Sequence, residues 1–153
     1  MTAASDELAA YRRGYVHGSP YNRKLGLQAC DCQGNDCILQ LPWNEQLRAD
    51  SEGGPMHPGA LTALIDATFG FAILKQMIVL RAMVTLDLRV EHLASAIPGR
   101  ALRVWATCHH SDASYAFVRG IVYHETVKEP LANAAGIFML LDPRAARPAG
   151  TNA

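Results

Sequence analysis

Between Glu52 and Lys75 the chain runs for 22 residues with a single formal charge, Asp66, and no other stretch constrains the fold as tightly. Its centre reads Gly59-Ala-Leu-Thr-Ala-Leu-Ile-Asp-Ala-Thr-Phe-Gly-Phe-Ala-Ile-Leu74. Leu61, Leu64, Ile65, Thr68, Phe69, Ala72 and Ile73 recur at three- and four-residue steps, the spacing that gathers side chains on one side of a helix. Ala, Leu and Ile fill most of the remaining circumference, so this helix needs cover nearly all round. Pro58 suits its first turn, where a missing N–H costs little and the ring already holds a helical φ. A membrane span of about 20 apolar residues is the competing use of such a segment, and Asp66, Lys75 and Gln76 argue against it. The expectation is a central buried helix that carries one carboxylate.

What covers that helix follows from the change of period at Arg81. Ala82, Val84, Leu86, Leu88 and Val90 alternate with polar neighbours, the pattern of a half-buried antiparallel strand. Ile97-Pro-Gly-Arg100 turns the chain into a strand over Leu102–His109, Ser111–Ser114 into one over Tyr115–Glu125, and Lys128–Pro130 into one over Leu131–Leu141. Upstream, residues 5–16 read as a short capped helix ended by Ser19–Asn22, followed by strands over 25–32 and 37–41. Residues 44–56 read as a polar, mobile loop. The predicted class is α+β, a curved antiparallel sheet wrapped around one long helix, with the last four strands as a meander. Free sheet edges and an uncovered outer face predict a homo-oligomer. The expected organisation is an N-terminal helical extension over 1–19, one domain over 20–142 and a flexible tail over 143–153.

Composition narrows the functions. A chain of 153 residues, half of them hydrophobic, is long enough to bury roughly two-thirds of its unfolded surface without disulfide or metal staples. Its 14 Lys and Arg balance 14 Asp and Glu, so it lacks the cationic excess that nucleic acid or an anionic membrane selects. The N-terminus has neither a basic region nor an apolar run of the secretory kind, which makes the cytoplasm the expected location. Cys30, Cys32 and Cys37 do not have the spacing of paired zinc knuckles or of a redox pair. His109 and His110 are strand neighbours pointing to opposite faces. No metal site is expected.

Asp66 is then the residue to explain. An ionised carboxylate inside a helix core costs on the order of several kcal/mol unless it is paired, hydrogen-bonded or wet. One account pairs it with a sheet arginine, Arg89 or Arg119. The other makes it a general base or nucleophile at a subunit seam. His57-Pro-Gly59 opens the helix two turns earlier and brings a helix N-terminus near the carboxylate. Thr85, on the polar face of the next strand, adds a hydroxyl that positions water.

The pattern His57-x-Gly-x5-Ile-Asp66-x3-Gly70, then Val84-Thr-Leu-Asp-Leu-Arg89, Ala116-Phe-Val-Arg-Gly-Ile-Val-Tyr-His124 and Ala135-Gly-Ile-Phe-Met139, resembles the hotdog-fold acyl-CoA thioesterases of the phenylacetate-degradation (PaaI) type. The likeness spans residues 20–141. It implies that Asp66 is the base or nucleophile and that Thr85, reaching in from a partner subunit, helps place the attacking water. It makes His57 the motif histidine and Gly59 the last motif glycine. Pro58, Thr62 and Phe69, near the carboxylate or the helix start, are expected to bind the substrate. It implies an acyl-CoA substrate with a small, medium or aryl acyl group and no cofactor beyond the CoA of that substrate. It also implies dimers with joined sheets, pairing into tetramers, and active sites at the dimer seam.

One departure stands out. Pro58 occupies the place of the motif's first glycine, whose backbone N–H polarises the thioester carbonyl, and proline has no N–H. The loop before His57, Ser51-Glu-Gly-Gly-Pro-Met56, also lacks the Asn or Gln that many members carry. Two readings follow: a thioesterase in which Gly59 N–H substitutes as the oxyanion donor, or a non-catalytic acyl-CoA or acyl-carrier binding protein.

Overall fold

A computed structural model describes residues 3–30 and 34–142. Helices α1 (Ala3–Gly18) and α2 (Pro20–Leu25) lead into strands β1 (Gln28–Cys30) and β2 (Cys37–Leu41). Then come a short 3-10 turn (Glu45–Leu47), the long helix α3 (Pro58–Gln76) and strands β3 (Met83–His92), β4 (Leu102–Ser111), β5 (Tyr115–Tyr123) and β6 (Ala132–Leu140). The strands form one antiparallel sheet in the order β1-β2-β4-β5-β6-β3, curved around α3. This is the hotdog arrangement.

The core lies between α3 and the inner face of the sheet. Leu64, Ile65, Phe69, Ala72 and Leu74 of α3 are wholly buried against Leu39 and Leu41 of β2, Val104 and Ala106 of β4, and Ala116 and Val122 of β5. The helix is long and apolar enough to cross a membrane, and here it is the core of the domain. Phe69 sets how closely the sheet approaches. Cβ atoms added at Gly120 and Gly136 would meet its ring at 2.6 and 2.9 Å, and at Gly120 also the Trp105 carbonyl at 2.8 Å. A backbone oxygen has little freedom to retreat, so Gly120→Ala is expected to destabilise the fold by about 1–3 kcal/mol through overpacking. Thermal unfolding measures it.

Four local features differ from the sequence reading. Ser19 does more than end a helix: its Oγ accepts from Asn22 N–H at the start of α2, and Gly26, at φ 72°, closes that helix in the left-handed region. The loop over 44–56 is tied down rather than loose. Ala49 N–H bonds the Pro55 carbonyl at 2.9 Å, and His57 N–H bonds the Leu47 carbonyl at 2.7 Å.

The meander is also interrupted. β3 pairs with β6 at the sheet edge, and β4 lies between β2 and β5. The connection from β3 to β4 crosses the end of the sheet, where Leu93 and Ala94 N–H both reach the Leu131 carbonyl and Ile97 N–H reaches His124 Nε2. A connection of this length anchored at both ends suits a crossover rather than a tight hairpin.

The fourth difference bears on function. Thr85 pairs with Phe138 and Asp87 with Ile137, so Leu86 is an extra residue in β3, a β-bulge. The bulge reverses the alternation of the strand. Leu88 and Val90 face inward after it, as their pattern predicts, but before it the inward face belongs to Met83 and Thr85. Val84 and Leu86 are exposed instead. Thr85, expected on the polar outer face, is thereby turned toward α3.

Cys37 and Cys108 are small buried residues, and burial pushes the Cys108 thiol above its ordinary pKa, away from the reactive thiolate. Cys32 and the expected tail over 143–153 lie outside the described residues. Among those described, no cluster of three His, Cys, Asp or Glu has metal-binding geometry.

Candidate active site

Asp66 sits halfway along α3, half-buried, and its Oδ1 accepts a hydrogen bond from Thr85 Oγ1 at 2.7 Å. A hydroxyl donor at that distance to a carboxylate is a strong, charge-assisted contact. It joins the helix to the edge strand within one chain, whereas the family likeness brought the hydroxyl from a partner. The bulge at Leu86 makes the bond, because without it Thr85 would point to the opposite face. Neither arginine considered for Asp66 pairs with it: Arg89 bridges Glu91 at 2.7 Å on the surface, and Arg119 is exposed.

The carboxylate opens into a cavity of about 920 Å³. Its far wall is α1. Ala10, Gly14 and Gly18, at four-residue steps along α1, face Ala63 and Ala67 of α3, so small residues on both helices leave a slot between them. Tyr11, Tyr15 and Tyr21 add aromatic surface. Tyr15 stacks on Phe71 with ring centroids 5.5 Å apart and packs edge-on to Tyr11 at 6.2 Å. Its hydroxyl lies over Gly70, where a Cβ would stand 2.2 Å from the oxygen, which explains the glycine one turn beyond Asp66. Burial, reinforced by the Asp66 carboxylate, raises the Tyr15 pKa, so the phenol stays protonated.

Arg12 fastens this wall. Its guanidinium donates to the carbonyls of Leu74 and Lys75, both at 3.0 Å, and to that of Met77, the last acceptors at the C-terminus of α3. Arg12→Met is expected to cost about 1.5–3 kcal/mol, the range for hydrogen bonds to a charged group. Limited proteolysis of α1 should accelerate in that variant while the sheet domain survives.

The start of α3 holds a different kind of site. His57 is its N-cap, and His57 Nδ1 accepts from Gly59 N–H at 2.9 Å. The His57 carbonyl accepts from Ala60 N–H at 2.9 Å and Leu61 N–H at 3.4 Å. The Gly59 amide expected to substitute for the missing N–H of Pro58 is therefore already engaged by the side chain before it. Thr62 bonds back to the Pro58 carbonyl at 3.1 Å and is exposed outside the Asp66 cavity. Pro58 lines a second cavity of about 460 Å³ with Met56, Leu61, His92 and Leu93. Phe69, expected at the substrate, is wholly buried beneath the sheet glycines and forms no part of the cavity wall.

The structure thus unites Asp66 with Thr85 and keeps them apart from His57, Pro58 and Gly59. Six residues of α3 lie between Gly59 and Asp66, which are roughly 10 Å of helix rise apart. The aromatic wall is not part of the sequence reading, although the spacing of Ala10, Gly14 and Gly18 in α1 is the signal that points to a slot there. His124, buried, is structural: Nδ1 contacts the Ala101 carbonyl at 2.7 Å and Nε2 accepts from Ile97 N–H at 2.9 Å.

A curved sheet around one buried helix, with a carboxylate midway along that helix beside an inter-helix slot, defines a hotdog-fold protein. The chain belongs to the thioesterase superfamily, whose family profile matches residues 53–131, just over half of it. Among solved structures, a Pseudomonas aeruginosa protein is similar at 27% identity and a TM-score of 0.77, over 88% of this chain and 99% of that one. A thioesterase family protein from Silicibacter pomeroyi matches at 19% identity and TM-score 0.76, over 88% and 98% of the two chains. The Escherichia coli PaaI protein from the phenylacetic acid degradation operon matches at 15% identity and TM-score 0.75, over 92% and 97%. These last two show the shared fold. No curated protein matches the chain in sequence.

Proposed function

We propose that the protein hydrolyses the thioester of an acyl-CoA whose acyl group is small to medium-sized or aryl, with Asp66 as base or nucleophile. The observation that carries the reading is the Thr85–Asp66 hydrogen bond at the mouth of the slot. A carboxylate held by a hydroxyl and open to solvent has the means to take a proton from water, with the hydroxyl fixing its orientation. The cavity falls in the ~300–1,000 Å³ range of small-molecule sites, and its tyrosines and small residues favour a flat acyl group.

A carbonyl attacked beside Asp66 also needs donors for its developing oxyanion, and the start of α3 in the same chain lies roughly 10 Å of helix rise away. A second copy supplies them. β3 ends the sheet with one edge unpaired, and Val84 and Leu86 are exposed on it. Helix α3 runs opposite to β3: Asp66 meets Thr85, while Pro58 and Leu61 share a cavity with His92 at the other end of the strand. Antiparallel pairing of two β3 edges about a dyad between Leu88 and Arg89 sets Thr85 of one copy opposite His92 of the other. The start of the second α3 then comes alongside Asp66. We therefore propose a homodimer with two seam sites, pairing further into a tetramer.

The closed amides at the start of α3 favour a second reading, an acyl-CoA or acyl-carrier binding protein without turnover. Thiol release across short, medium and aryl acyl-CoA esters, with Asp66→Asn as the control, decides between them. Hydrolysis predicts release that the variant loses. Binding alone predicts thermal stabilisation by the esters with no release from either protein.

A further inference from the structure

The first turn of α3 has spent every backbone donor it owns. Pro58 has no N–H, Gly59 N–H is bonded to His57 Nδ1, and the amides of Ala60 and Leu61 are bonded to the His57 carbonyl. A helix ordinarily leaves the amides of Gly59 and Ala60 for a cap or a ligand, and here His57 takes both. The same closure creates a donor. A ring nitrogen that accepts from an amide carries no proton, so the neutral imidazole has its hydrogen on Nε2. That N–H makes no hydrogen bond among the described residues, and the side chain is exposed. The ring is held in place by its Gly59 contact, by the His57 N–H bonded to the Leu47 carbonyl at 2.7 Å, and by the fixed φ of the adjacent Pro58. It is preorganised, which is what an oxyanion donor requires.

We infer that His57 Nε2–H replaces a backbone amide as the oxyanion donor of this site. The inference rests on the hydrolytic reading above and on the seam that brings His57 of the partner subunit to Asp66. In the step it serves, a water oxygen bonds the thioester carbon while its proton passes to Asp66. The carbonyl π pair moves onto oxygen, to which Nε2–H donates. Collapse re-forms the C=O bond and breaks the C–S bond, and the proton held by Asp66 passes to the departing sulfur. The products are the free acid and CoA thiol, with Asp66 again a carboxylate. Proline at position 58 fits this scheme, since it stiffens the cap that orients the ring.

His57→Ser tests the role because serine still caps Gly59 N–H but has no donor that reaches as far. Its kcat should fall by about 10²–10³-fold, the effect of one lost oxyanion donor, with KM and thermal midpoint near those of the parent. Pro58→Gly returns a backbone N–H to the same turn, and added to His57→Ser it should recover at least about tenfold of that loss. Parental kcat in His57→Ser, with Asp66→Asn inactive, would overturn the inference and leave the hydrolytic reading intact. A double variant no faster than His57→Ser would also count against it. A parent protein that releases no thiol from any ester would remove both together.

Discussion

Replacing Asp66 by Asn is expected to lower kcat for thiol release by about 10²–10⁴-fold, the range associated with loss of a positioned acid–base group. The substitution is nearly isosteric and keeps an amide oxygen for the Thr85 hydroxyl, so the 2.7 Å contact between helix and strand has a replacement. What it removes is the proton acceptor. Because the slot between α1 and α3 is lined by other side chains, KM should change little and the loss should fall on kcat, the pattern of an interaction used in the transition state rather than in binding. Thermal stabilisation by CoA esters should persist in the variant, which separates chemistry from binding. Single turnover in ¹⁸O-labelled water bears on the two roles of the carboxylate: a base leaves the label in the acid product alone, and label found on Asp66 identifies a nucleophile whose mixed anhydride opens at the Asp66 carbon.

The second large effect concerns the seam. A heterodimer of one Asp66→Asn chain and one His57→Ser chain, isolated through two different tags, should recover about half the parental rate per dimer, because a two-fold interface makes each site from both subunits. One of its sites combines both defects. The other pairs the intact Asp66 of one chain with the intact His57 of the other. Each homodimer should sit far below the parent. If both groups acted within one chain, the heterodimer would be no better than its parents. The free edge of β3 and the opposed directions of β3 and α3 are the reasons to expect recovery.

Much of this architecture was legible in the sequence because two periods are so clean. Leu61 to Ile73 repeat at helical steps with almost no charge, and Leu102, Val104, Ala106 and Cys108 alternate inward as predicted. Asp66 drew attention as the single charge in its segment. The alternation puts Thr85 on the outer face, and the structure turns its hydroxyl to Asp66 instead. Val84-Thr-Leu-Asp-Leu88 alternates without fault, so nothing local marks Leu86 as the bulge. The pairing with Phe138 and Ile137, more than 50 residues away, decides it. The place of β3 beside β6 is non-local in the same way.

The helix start misled for a different reason. Spacing showed where Gly59 N–H would be, and only the side-chain geometry shows that His57 Nδ1 already occupies it. The tyrosine wall was hidden because Tyr11, Tyr15 and Tyr21 lie in an extension that reads as an ordinary short helix. Its docking depends on Arg12 reaching carbonyls 62 to 65 residues further along the chain.

Turnover of a thioester, rather than retention of one, is the proposal on which the other expectations for this hotdog protein depend. Its most direct test measures thiol release and thermal midpoint together on the parent protein, across a panel of short, medium and aryl acyl-CoA esters. At least one ester is expected to raise the midpoint and to be hydrolysed over many turnovers, yielding equal amounts of free acid and CoA. Esters that stabilise the protein and are recovered intact would contradict it.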